Sequence, residues 1–204
     1  MISLNPTEMS ERENYTFLTG AVVPRPIAII STISNEGIMN IAPFSYFTIV
    51  SSNPPLIAVS IQRRNGERKD TARNAIDSGE FVLHITDEEN VEGANWTAAE
   101  LPPDQSELEG SPFQTVDSVH VRVPGLSPAK IRMECTVHKV IPLGGHTAED
   151  AGCDLLIGNI VFYHIDEAIY KDGTISTELL KPVSRLAGQN FMKIGEQFIL
   201  ERPK

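Results

Sequence analysis

Short β-branched apolar runs, separated by turn chemistry, dominate the hydrophobic pattern of this chain. Ile27–Ile33 (IAIISTI) is too short for a lone helix and reads as a strand. Ser34-Asn35-Glu36-Gly37 supplies a turn in which glycine accepts positive φ, so a hairpin leads into Ile38. The next run, Met39–Val50, opens with NIAPFSYF. Pro43 has no ladder donor, which marks a bulge or a sheet edge, and such irregularities often re-aim side chains near ligands. Asn53-Pro54-Pro55 resets the chain before a third strand, Leu56–Gln62, and Phe81–Thr86 is a fourth. Val119–Val123 and Ile131–Ile141 alternate as half-exposed strands do. Leu155–Ile165 is the longest apolar run, and Gly158 within it signals a bend or bulge.

Helical signals are fewer. Asp70 or Thr71 can cap a helix that reaches Ser78, with Gly79 just past its end. Asp87–Ala99 reads as a second helix with acidic residues crowding its first turn, where the dipole favours them. Leu101–Val116 is a long acidic loop carrying three prolines; it either shapes a second-substrate site or packs as an arm of a dimer. The polar residues 1–19 are expected to lie across a sheet edge or reach a partner subunit. At least six strands with two short helices predict one mainly β domain spanning residues 1–204, an antiparallel barrel or sandwich.

Charge and composition narrow the function. A net charge of -10 over 204 residues argues against a general nucleic-acid or anionic-membrane surface. No run approaches the roughly 18 apolar residues of a membrane span. The N-terminal MISLNPTEMSEREN lacks the form of a secretory signal, so the cytoplasm is the expected compartment. Cys135 and Cys153 are too few to staple the chain and match no metal spacing, and the five histidines form no ligand pair, so no metal site is expected. No G-x-S-x-G elbow is present. An absent acid/base constellation fits an enzyme whose cofactor carries the chemistry.

Two segments carry candidate chemistry. Between Gln62 and Asn74, five cations (Arg63, Arg64, Arg68, Lys69, Arg73) face two acids (Glu67, Asp70). An arbitrary charge run is more often a solvated face than an anion site, and what raises the second reading here is position beside an expected helix start. Unpaired backbone N–H groups there point outward, and the dipole suits a phosphate. NIAPFSYF can supply the other half of a ligand site. Asn40, Ser45 and the backbone near Pro43 can meet the polar edge of a flat ring, with Phe44 or Phe47 as apolar cover.

In order along about 50 residues, PRPIAIIST, NIAPFSYF, PP and KDTARN resemble the flavin reductase-like, FMN-binding split-barrel family, in its flavoredoxin branch. The tail LLKPVSRLAGQNFMKIGE is similar to the same family's C-terminal piece, so the resemblance covers residues 16–196. It implies a split β-barrel of Greek-key type, homodimeric, with FMN near the subunit interface. It places Ser31 and Thr32 at the flavin and Asn40, Ala42, Pro43, Ser45 and Phe47 on the ring-contacting segment, with Ser60 on the next strand. Lys69 and Thr71 are assigned to the phosphate, and Asp70 orders the turn. Arg25 either reaches the phosphate or structures the entrance. Arg185 corresponds to the arginine of an R-L-G-G-x-x-Y-like tail motif, from which Ala187 and Phe191 depart. The implied activity is an NAD(P)H-dependent oxidoreductase that passes electrons from FMN to a second acceptor, with no catalytic side chain. The alternative is a flavoredoxin-like electron carrier without efficient nicotinamide turnover.

Overall fold

A computed structural model describes residues 1–203. The N-terminal segment carries a helix, α1 (Glu11–Ala21), for which the sequence reading named no element. It starts on a capping box: Glu13 N–H donates to Ser10 Oγ at 3.3 Å, and Ser10 N–H donates to Glu13 Oε2 at 2.8 Å. The Ser-x-x-Glu spelling was there in the sequence, masked by the segment's overall polarity.

The chain then runs through β1 (Arg25–Pro26), β2 (Ala28–Ile33), β3 (Met39–Phe44), β4 (Phe47–Ser52) and β5 (Pro55–Gln62). Next come α2 (Asp70–Ser78), β6 (Glu80–Ile85), α3 (Val91–Trp96), β7 (Gln114–Val116) and β8 (Gly125–Ser127). The long strands β9 (Ile131–Leu143) and β10 (Cys153–Ile165) follow. The chain closes with β11 (Tyr170–Lys171), β12 (Thr174–Ile175), α4 (Thr177–Leu180), β13 (Val183–Arg185) and β14 (Phe191–Lys193).

Seven strands form one sheet in the order β3-β2-β6-β9-β10-β5-β4, with every neighbouring pair antiparallel. Its two end strands, β3 and β4, are consecutive in the chain and joined only by Ser45 and Tyr46. The sheet must therefore curl until its ends almost meet, without closing. That gives the mainly β, split-barrel architecture. Pro43 sits in the end strand β3, where no ladder donor is missed. The hairpin before it forms as expected, with Ser34 N–H donating to Ile38 O at 2.8 Å and Gly37 at φ +85°.

Inside the curl, Ile30, Phe44, Val59, Phe81, Leu83 and Leu156 pack together, and Ala72 and Ala75 of α2 join them. Gly158 falls at a register shift between β9 and β10, as its place in the apolar run suggested. A Cβ there would meet Phe81 Cζ at 2.4 Å. Gly158→Ala is therefore expected to cost about 1–3 kcal/mol by overpacking, read as a lower midpoint in urea at unchanged slope.

Three sequence expectations need correction. Val119–Val123 is a turn rather than a strand, because the Glu134 carboxylate collects the N–H groups of Val119, His120 and Val121 (2.7, 2.6 and 3.1 Å) that a ladder would have used. The expected helix Asp87–Ala99 shrinks to α3, since Asp87 accepts from Glu89 and Asn90 N–H and folds residues 87–90 into a separate turn. At α2 the N-cap is Lys69, with no side-chain cap at all, instead of Asp70 or Thr71. Its other end is as expected, with Gly79 at φ +73°.

The acidic 101–116 segment covers the open edge of β3. Ser106 Oγ donates to Met39 O at 2.5 Å, and Ile41 N–H donates to Glu107 Oε2 at 3.0 Å. Phe113 from the same segment packs with Ile29 and Ile41 on the outer face of the sheet. An exposed edge strand invites pairing with another chain, and this loop removes the invitation.

Candidate functional site

Two connected hollows open where the sheet fails to close. One is a chamber of about 450 Å³ between the β3–β4 link, α1, α3 and the β13–β14 tail. The other is a groove of about 340 Å³ between the start of α2, β3 and the 97–103 segment. Pro43, Phe44, Lys69 and Ala98 line both, so they meet along the end of β3.

Of the residues singled out by sequence, Arg25, Pro43, Ser45, Ser60, Lys69 and Arg185 line the chamber. Asn40, Ala42, Asp70 and Thr71 line the groove, together with Pro43 and Lys69. Three lie elsewhere. Ser31 is fully buried on the opposite face of β2 and donates to Pro124 O at 2.8 Å. Thr32 is buried behind Asn40, whose Nδ2 approaches its hydroxyl at 3.4 Å. Phe47 packs against the interior core, and Tyr46 takes its place at the chamber wall. Sequence reasoning also missed Tyr15, which the capping box of α1 could have flagged, and Asn95, for which no local signal exists.

The groove is built around the uncapped start of α2. Asn40 Nδ2 donates to Thr71 Oγ1 at 2.8 Å, which fixes that hydroxyl and leaves its own proton free to donate. Asp70 is held by Arg73, so its charge is answered within the helix. Four of the five cations in the basic cluster are matched in this way. Arg63 and Arg68 both reach the buried Asp154, at 2.8 and 3.3 Å, and Arg64 meets Glu100. Lys69 is the exception among the described residues. Burial of its ammonium, then the nearby Arg64 charge, push its pKa below the ordinary lysine value. Glu107 closes the far side of the groove, and burial raises its carboxyl above the usual range despite the Ile41 N–H, with Asp70 adding to the rise.

The chamber is electrostatically one-sided. Arg25, Lys69 and Arg185 line it and, among the described residues, no aspartate or glutamate does, in a chain of net charge -10. Arg25, only 7% exposed, ties the end of α1 to the tail by donating to Thr19 O (2.8 Å), Val22 O (2.6 Å) and Leu186 O (3.0 Å). Its buried Nε has no hydrogen-bond partner among the described residues. Arg185 lies over the Phe191 ring at 4.5 Å and donates to Gly188 O at 2.5 Å. Phe191 thus keeps a stacking face without a hydroxyl.

A family model described as the flavin reductase like domain matches residues 20–178. The chain belongs to this family of flavin-linked oxidoreductases. Nitrilotriacetate monooxygenase component B from Bacillus cereus, a solved structure, is 54% identical, with a TM-score of 0.96 and 98% of each chain covered. The 2-nitrobenzoate 2-nitroreductase NbaA of Pseudomonas fluorescens is 26% identical at a TM-score of 0.88, covering 99% of this chain and 96% of its own. An uncharacterized protein of Halalkalibacterium halodurans is 48% identical over 203 residues, covering 99% of this chain and 97% of the relative. No helix of this family member is long and apolar enough to cross a membrane among the described residues.

Proposed function

We propose that this protein holds FMN without a covalent bond and acts in the cytoplasm as an NAD(P)H-dependent flavin reductase that hands electrons to a second acceptor. One observation carries the reading: Lys69 stands unmatched between an uncapped helix start and a cationic chamber. The fit is chemical as well as spatial. Two hollows of this size lie within the usual range for ligand sites, and one end of the pair offers phosphate chemistry while the other offers aromatic walls.

In this reading Lys69, Thr71 and the first N–H groups of α2 hold the phosphate, and Asp70, paired with Arg73, orders the turn. The segment Ala42–Tyr46 runs beside the ring, with Ser45 and Ser60 as small polar contacts and Phe44 as cover. When bound, FMN supplies the hydride and electron chemistry, so no side chain need serve as an essential base. The residues around it position, exclude water and offset developing negative charge. The relative that is a component of a monooxygenase supports a partner protein as the second acceptor. Large apolar side chains exposed on α1 (Phe17, Leu18) and on the end strand β4 (Ile49, Val50) support a homodimer.

Rapid mixing of the FMN-loaded protein with NADH and with NADPH tests the activity. Bleaching of the flavin band within seconds is expected with at least one of them. No bleaching over many minutes would replace the reductase by an electron carrier fed from a protein donor.

A further inference from the structure

The chamber contains a feature that FMN's phosphate, placed at the start of α2, leaves unused. Arg25 and Arg185 are direct cross-strand partners in the β1–β13 pair. Like charges set directly opposite on antiparallel strands destabilise the pairing. Relief from a carboxylate is absent, since neither arginine has an acidic partner and none lines the chamber among the described residues. Arg25 is also committed to its place by three backbone carbonyls, so it cannot swing out to water. Aromatic side chains line the same chamber: Phe191, beneath Arg185, together with Tyr15 and Tyr46.

From this we infer that the Arg25–Arg185 pair is a second anion site, which receives the oxyanion of the reactant that meets the flavin: the pyrophosphate of a dinucleotide donor or the carboxylate of an aromatic acceptor. The inference rests on the FMN reading above and extends it, because it assigns Arg185 to the second reactant rather than to the cofactor. Guanidinium groups suit this task, since their planar fork matches both phosphate and carboxylate oxygens. A short tail hairpin carries Arg185, and an arriving anion would answer two charges that are otherwise met by backbone carbonyls and the Phe191 ring alone.

Calorimetric titration of the FMN-loaded protein with inorganic pyrophosphate and with benzoate tests the site. At least one anion is expected to bind saturably, to weaken about tenfold in Arg185→Gln and to weaken less in Arg185→Lys, which restores the charge without the planar fork. Preference for pyrophosphate assigns the site to the donor, and preference for benzoate assigns it to an aromatic acceptor. In the unmodified protein the same affinity should fall severalfold as salt rises from about 50 to 200 mM, a check independent of any variant. Absence of saturable binding below about 10 mM for both anions overturns the inference, as does unchanged affinity in Arg185→Gln. Release of FMN fluorescence during the titration also overturns it, because the chamber would then be the cofactor phosphate's own seat. Should the protein take up no FMN at all, the proposed function fails, while the same titration of the flavin-free protein still reads the arginine pair.

Discussion

Replacing Lys69 by alanine is expected to weaken FMN by roughly 10- to 100-fold while riboflavin binding changes by less than about threefold. Only FMN carries the phosphate, so the ratio of the two losses isolates the contact. The size follows from one charge-assisted bond, worth about 1.5–3 kcal/mol. Lys69 suits the test because it is the one cation of its cluster without an acidic partner among the described residues, so its removal strips no carboxylate of its counter-ion. The same substitution at Arg63 would leave Asp154 short of a partner and confuse binding with stability. Quenching of flavin fluorescence on titration into the flavin-free protein reads both constants. Equal losses for the two ligands would retire the assignment of phosphate to the start of α2.

The largest stability effect is expected at Glu134, a residue remote from the site. Its carboxylate is fully buried, accepts three backbone N–H bonds from the 119–121 turn, and receives His164 Nε2 at 2.6 Å. Glu134→Ala leaves that turn with three unanswered donors and is expected to cost about 3–5 kcal/mol, a fall of roughly 10 °C in the melting midpoint for a chain of this length. Burial acts to raise this carboxyl, but His164 and the three N–H groups outweigh it and hold the pKa below the ordinary value of 4.5. The sign follows directly. A carboxylate with a depressed folded pKa contributes stability above its unfolded pKa, and that contribution is lost as pH falls through the folded value. The unmodified protein should therefore shed this increment below about pH 4.5, whereas Glu134→Gln, already weakened, should show a flatter profile there. Denaturant midpoints measured from pH 3 to 7 would expose the difference. A variant as stable as the parent throughout would mean that the turn holds without the carboxylate.

Both predictions turn on partners that sit far away in the chain, and this marks the limit of what could be read without the structure. Where an element depends on its own neighbours, it was legible. The β2–β3 hairpin, the Gly79 stop, the edge position of Pro43 and the irregularity at Gly158 all follow from local backbone preferences. α1 was legible in principle through its capping box and went unread because so few of its side chains are buried. Val119–Val123 alternates like a strand, but Glu134 satisfies its N–H groups from another strand, and no local pattern reports that.

The candidate site divides in the same way. From the sequence alone came a mainly β chain, a cationic stretch ahead of a helix, and a proline-interrupted apolar segment, because each is a property of adjacent residues. Only the folded chain decided which of five cations is free, since Asp154 and Glu100 lie far from the cluster in sequence and claim three of them. Only the tertiary fold could open a chamber beside the link between the two end strands, set Tyr46 rather than Phe47 at its wall, and stand Arg25 opposite Arg185. Charge pairing and cavity shape depend on distance through space, and the chain alone encodes those distances only through the whole packed fold.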